Sequence, residues 1–136
     1  MERSPATDAV TRQGEQLAAV TRQGEQLAAV TNGIVRLFRE YYGRGPTKAK
    51  SYILDDRIVV CVLEDTMTTV EQTLVKNGYT DMVRQVRLKF QEAMAAPTTE
   101  AIERLSGRKV IGYHSQIVFD PEHAFEICVL DGPPQR

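Results

Sequence analysis

Along residues 17–41 the chain places apolar or small side chains at Leu17, Val20, Gly24, Leu27, Thr31, Ile34, Phe38 and Tyr41. Steps of three and four are the period of one helix face. The seam weakens at Gly24 and Thr31. Its stronger half, 27–41, is joined by Val30, Val35 and Leu37, wide enough for the core face of a packed helix. Gly43 is a natural C-cap, and Gly45-Pro46 extend the loop behind it. Beyond the loop the period falls to two. Runs at 50–54 and 57–64 flank Asp55-Asp56, which predicts a hairpin with a tight polar turn. The second run, Ile58-Val59-Val60-Cys61-Val62-Leu63, is apolar on both parities and is expected as a central strand covered above and below.

Helical spacing then returns. Thr68 and Glu71 form a capping box for a short helix that ends near Asn77-Gly78. A second helix starts near Thr80 or Asp81. Its apolar positions are Met82, Val83, Val86, Phe90, Ala93 and Met94, and Arg84, Arg87 and Lys89 fall outside that stripe as a solvated face. Pro97 predicts either a kink or a break, with Thr98 or Thr99 as a new cap; Ala101, Ile102 and Leu105 resume the spacing and Gly107 closes it. Runs at 109–119 and 124–130, joined by Asp120-Pro121-Glu122-His123, form a second strand pair. The order α-β-β-α-α-β-β, with a long N-terminal helix, predicts an α+β two-layer domain on a mostly antiparallel four-stranded sheet built from two hairpins. Strand order stays open.

Residues 11–20 and 21–30 are identical copies of TRQGEQLAAV. Ten residues leave an α-helix roughly 80° short of three full turns, so the copies cannot offer the same side chains to one partner. The reading is a flexible tail over 1–10, a duplicated helical extension over 11–20, one α+β domain over 21–131 and a C-terminal tail over 132–136. Leu17, Val20, Leu27 and Ile34 are the candidate interface of a homodimer.

Composition narrows the function classes. The chain has 136 residues and a formal charge of -1, so no whole-molecule field would hold a nucleic acid, and none is expected as a partner. Cys61 and Cys128 lack metal or redox spacing and read as buried small hydrophobes in a reducing compartment. Crossing a bilayer takes about 20 consecutive apolar residues, and MERSPATDAV has no signal-peptide core. The expectation is a cytoplasmic protein without direct membrane insertion.

One loop stands out for chemistry. Gly43, Arg44, Gly45, Thr47, Lys48 and Lys50 combine close backbone approach with cationic side chains, a candidate nest for a small anion such as bicarbonate or phosphate, or for a nucleotide. The loop runs helix to strand and lacks Walker spacing, so a capped helix end with an exposed basic turn competes with that reading. His114, in an alternating strand, is a candidate second contributor. Asp120, Glu122 and His123 read as a hairpin turn rather than a metal site. With no nucleophile elbow, carboxylate pair or metal-ligand motif, the chain is expected to be non-enzymatic and to need no metal or cofactor.

The stretch Asn32-Gly-Ile-Val-Arg-Leu-Phe-Arg-Glu-Tyr-Tyr-Gly-Arg-Gly-Pro-Thr-Lys-Ala, with Ile53-Leu-Asp-Asp, Leu105-Ser-Gly-Arg-Lys-Val, Ser115-Gln and Phe119-Asp-Pro, resembles the MpsC family over residues 24–130. The Tyr-Tyr-Gly-Arg-Gly-Pro-Thr-Lys segment is the most specific part. That resemblance implies an accessory role in a sodium-linked, membrane-potential-generating system associated with inorganic-carbon uptake, and supplies no catalytic residue. The duplicated decamer and Pro97 depart from the family pattern. The leading expectation is an accessory protein, dimeric, that docks on a membrane transport protein and is peripheral to the membrane through that partner. The alternative is the small-anion or nucleotide domain built on residues 43–50.

Overall fold

Two hairpins supply the sheet, the two long helices cover one face of it, and the short helix packs on the second long one. The computed structural model describes residues 5–135; the side chains of residues 7, 8, 10 and 19–21 lie outside the described set, and Val20 of the expected interface with them. The elements are α1 (Pro5–Tyr42), β1 (Lys48–Leu54), β2 (Ile58–Glu64), α2 (Thr69–Lys76), α3 (Thr80–Ser106), β3 (Val110–Phe119) and β4 (Glu122–Leu130). The strands pair antiparallel in the order β1-β2-β4-β3. The α+β class, the two hairpins and the element order are those the periodicity predicts.

Local chemistry accounts for the element ends. Gly43 (φ +79°) takes the left-handed conformation that ends α1. Asp55 and Asp56, at φ 51° and 55°, form the tight turn between β1 and β2, a left-handed geometry that aspartate tolerates. Thr68 accepts from the Glu71 amide and Glu71 accepts from the Thr68 amide, which completes the capping box of α2.

Three expectations need correction, and one open alternative is decided. Among the described residues α1 runs from Pro5, so it includes part of the segment expected as a tail over 1–10. Of the kink or break open at Pro97, the break does not occur, and α3 is one helix through it. Proline costs about 3 kcal/mol in a helix interior, but Met94, Thr98, Ala101 and Ile102 are buried on either side of it, so packing holds both halves in line. Thr98 is therefore interior and not a cap. Glu122 and His123 belong to β4, which leaves Asp120 and Pro121 as the turn. Finally, β2 is covered on one face only.

That last correction organises the molecule. Register places Val59, Cys61 and Leu63 of β2 beside Cys128, Glu126 and Ala124 of β4, and all six are buried. Val30, Ile34 and Phe38 of α1 and Ile102 of α3 close over this inner face. At Gly33 the Leu105 side chain of α3 lies against α1, since a methyl group there would sit 2.5 Å from Leu105 Cδ1 and Leu105 would have to shift. The opposite parity, Ile58, Val60 and Val62 with Phe125, Ile127 and Val129, lies on the outer face and is only half-buried.

Candidate functional site

The basic loop folds as a clamp. Arg44 donates to Asp65 Oδ2 at 2.7 Å and to the Met67 carbonyl at 2.9 Å, which fixes Asp65 in its left-handed conformation (φ 60°). A methyl group at Gly45 would lie 3.2 Å from Arg39 Nε. Thr47 donates its amide to the Glu64 carbonyl at 3.1 Å. Lys48 lies 3.9 Å from the Glu64 carboxylate, and Lys50 sits 5.2 Å from the Tyr52 ring centre. Thr47 lines a shallow cleft with Glu64, Asp65 and Glu122, so the loop's surroundings are acidic. His114 is exposed on β3, at the opposite edge of the sheet from β1. The structure does not bring His114 to the loop.

The expected interface residues also separate. Ile34 is 1% exposed inside the protomer and Leu27 packs half-buried against the core, while Leu17 is 69% exposed. The buried stripe of α1 leaves the helix through Tyr42, while Tyr41 points outward.

Two buried polar clusters went unread in the sequence. In the first, Arg87 is 1% exposed. It pairs with Glu71 through contacts of 2.5 and 2.7 Å, donates to the Thr66 carbonyl at 2.8 Å, and lies over the Tyr42 ring at 4.2 Å. Burial opposes charge on Glu71, but hydrogen bonds from Arg87 and Thr68 outweigh it and hold the carboxyl below its ordinary range. Arg87 was expected on a solvated face. The positions Val83, Arg87, Phe90, Met94, Thr98, Ala101 and Leu105 step by 4, 3, 4, 4, 3 and 4, so the inward stripe passes through Arg87 and leaves Met82 and Val86 exposed. The second cluster is Glu126, 2% exposed, which accepts from Tyr113 Oη at 2.5 Å and Ser115 Oγ at 2.7 Å. Burial pushes its carboxyl up to about 7, against the pull of those two hydroxyls. The available signal was parity, because Glu126 falls on the same face as Ala124, Cys128 and Leu130.

Glu122 is likewise occupied: its Oε1 accepts from Thr66 N, Thr66 Oγ1 and Met67 N at 2.7, 2.6 and 3.1 Å. His123 Nδ1 meets the Pro121 carbonyl at 2.6 Å. Among the described residues no group of three or more His, Cys, Asp or Glu is placed to hold a metal ion. Nor, among them, is any helix long and apolar enough to cross a membrane.

What remains open is surface. Six apolar side chains of the two central strands face outward, bordered on β1 by Lys50, Tyr52 and Leu54 and on β3 by His114, Gln116 and Val118. A cleft of about 810 Å³ lies between α3 and β3 and reaches round β3 to Phe125 and Ile127 of that face.

The family profile described as Na+-translocating membrane potential-generating system (MpsC) matches residues 22–132. No curated protein and no solved structure matches the chain.

Proposed function

On the premise that this chain belongs to the MpsC family of the Na+-translocating membrane potential-generating system, we propose that it is a non-catalytic accessory subunit. It dimerises through the outer face of its sheet and sits at the membrane through a transport partner, on the cytoplasmic side. One observation carries this reading: the six apolar side chains on the outer face of β2 and β4 are only half-buried and lie outside the core that α1 and α3 close.

With strands about 4.8 Å apart and about 20 Å long, the two central strands give an apolar face of roughly 200 Å² in projection. Tyr52 and Leu54 of β1 and Val118 of β3 extend it toward the few hundred Å² at which an exposed apolar patch marks an interaction site. A second copy is the occupant that fits. Two such faces can pack like the layers of a sandwich, about 10 Å apart, and a dyad parallel to the strands sets the lysine-bearing β1 against β3, which carries no lysine, arginine or carboxylate. The anion-binding alternative on residues 43–50 is the weaker reading, because Arg44 is already paired and the neighbouring cleft is acidic.

The functional test is the sodium-dependent membrane potential of cells carrying the intact system. Val60→Lys puts a charge at the centre of the outer face and is expected to lower that potential severalfold while the purified protein keeps its helical circular dichroism. A folded Val60→Lys protein that supports the full potential would remove the proposal.

A further inference from the structure

The two edges of the sheet are defended differently. Edge strands need protection because their outward amides and carbonyls will pair with any strand that arrives. Strand β1, KAKSYIL, carries two lysines, and lysine on an edge is a common guard. Strand β3, VIGYHSQIVF, is the longest of the four at ten residues and has no lysine, arginine, carboxylate or proline. Among the described residues its far side has no strand partner. This unguarded edge also borders the cleft of about 810 Å³, which is lined by residues 113–117 of β3, by α3, and at its outer end by Phe125 and Ile127 of β4. Arg84, Leu88, Gln91 and Ala95 form the α3 wall, at the spacing that keeps them on one helix face. Leu88 is 54% exposed there.

We infer that the groove between β3 and α3 receives an extended peptide segment of a partner protein, which joins the sheet as a fifth strand beside β3. The chemistry of the two walls selects this occupant. The β3 wall offers alternating backbone N–H and C=O groups, which only another extended backbone matches along its length. The α3 wall offers Leu88 and Ala95, which suit apolar side chains at every second position of the incoming strand. The volume lies within the range of sites that enclose small ligands or short chain segments. A second copy of this chain fits the edge poorly. Two-fold pairing of β3 with β3 would place both α3 helices on the same side of the joined sheet, each overhanging the same seam.

The probe set is synthetic decapeptides tiling the soluble segments of the membrane subunits of the same Na+-translocating system, a choice that rests on the family reading above. Each is made with ordinary amides and with alternate amides N-methylated, and binding to the full chain is read by fluorescence anisotropy. At least one ordinary peptide is expected to bind with micromolar affinity, to lose tenfold or more on N-methylation and on Leu88→Arg, and to be indifferent to Ile58→Lys, whose neighbours Val129 and Leu54 do not line the cleft. Binding that survives both N-methylation and Leu88→Arg, or no binding by any peptide, would overturn the inference. Loss of binding with Ile58→Lys alone would place the peptide on the outer face and overturn it equally. Because Ile58→Lys reports on the outer face away from the cleft and Leu88→Arg on the groove, failure of one proposal is distinguishable from failure of the other.

Discussion

The two faces of this sheet invert the usual assignment of polar and apolar residues. The inner face, sealed by α1 and α3, carries Glu126, Tyr113, Ser115 and Ser51 among its apolar side chains. The outer face carries six apolar side chains of its two central strands, with Glu64 and His123 paired at one end. An acid inside and six aliphatic or aromatic groups outside make sense together when the inside is a hydrogen-bonded network and the outside is completed by another molecule.

The largest effect expected from breaking this contrast is on the inner side. Arg87→Met leaves Glu71 buried without its cation, and removing one member of a buried pair costs about 3–5 kcal/mol. Urea denaturation should show that loss, and a shift under about 1 kcal/mol would mean Arg87 is not anchoring the α2–α3 contact.

Next in size is a pH effect from Glu126. Its carboxyl is raised from 4.5 to about 7 in the folded state, so the fold holds this proton more tightly than the unfolded chain does. The stabilisation is fully present below pH 4.5, declines as pH rises through about 7, and then levels, a change of roughly 3 kcal/mol. Glu71 acts in the opposite sense, since its lowered carboxyl favours the fold above the ordinary carboxylate range and loses that contribution as pH falls. Glu126→Gln should flatten the decline between pH 5 and 7 in thermal melts at a series of pH values; an unchanged slope would show that another group carries it.

On the outer side, the same kind of substitution should barely touch the protomer. Val60→Lys sets an ammonium on a half-open surface where its stem can lie flat and its head reach water. Its protomer stability should change by about 1 kcal/mol or less, measured by urea unfolding at high dilution. A loss as large as that of Arg87→Met would mean the outer face is core.

The smallest effect belongs to neither face. Residues 12–18 are exposed, and deleting 11–20 returns an identical decamer to the same place before Thr31. Thermal melting should move by no more than a few degrees, and a larger drop would make the first copy part of the core.

Much of the fold was readable because backbone chemistry is local. Gly43, the Asp55-Asp56 turn, the Thr68–Glu71 box and Gly107 each announce an element end with one or two residues. The site was harder, because a residue's type does not reveal its direction. Arg87 looked solvated since arginine usually is, and only the complete 83-to-105 stripe turns it inward. Val86, an apolar residue one step away, was drawn into the stripe in its place. Ile34 and Leu27 lay on a seam that could serve a core or a partner, and burial in the core resolved it for Ile34. The strand order decided the fate of His114 and the basic loop, which share a sheet but occupy opposite edges.

The outer face makes one claim about solution behaviour, and sedimentation equilibrium at micromolar concentration tests it most directly. The wild-type chain should sediment as a dimer and Val60→Lys as a folded monomer. A wild-type protein that remains monomeric across that range, or a Val60→Lys protein that dimerises as tightly as wild type, would contradict the account.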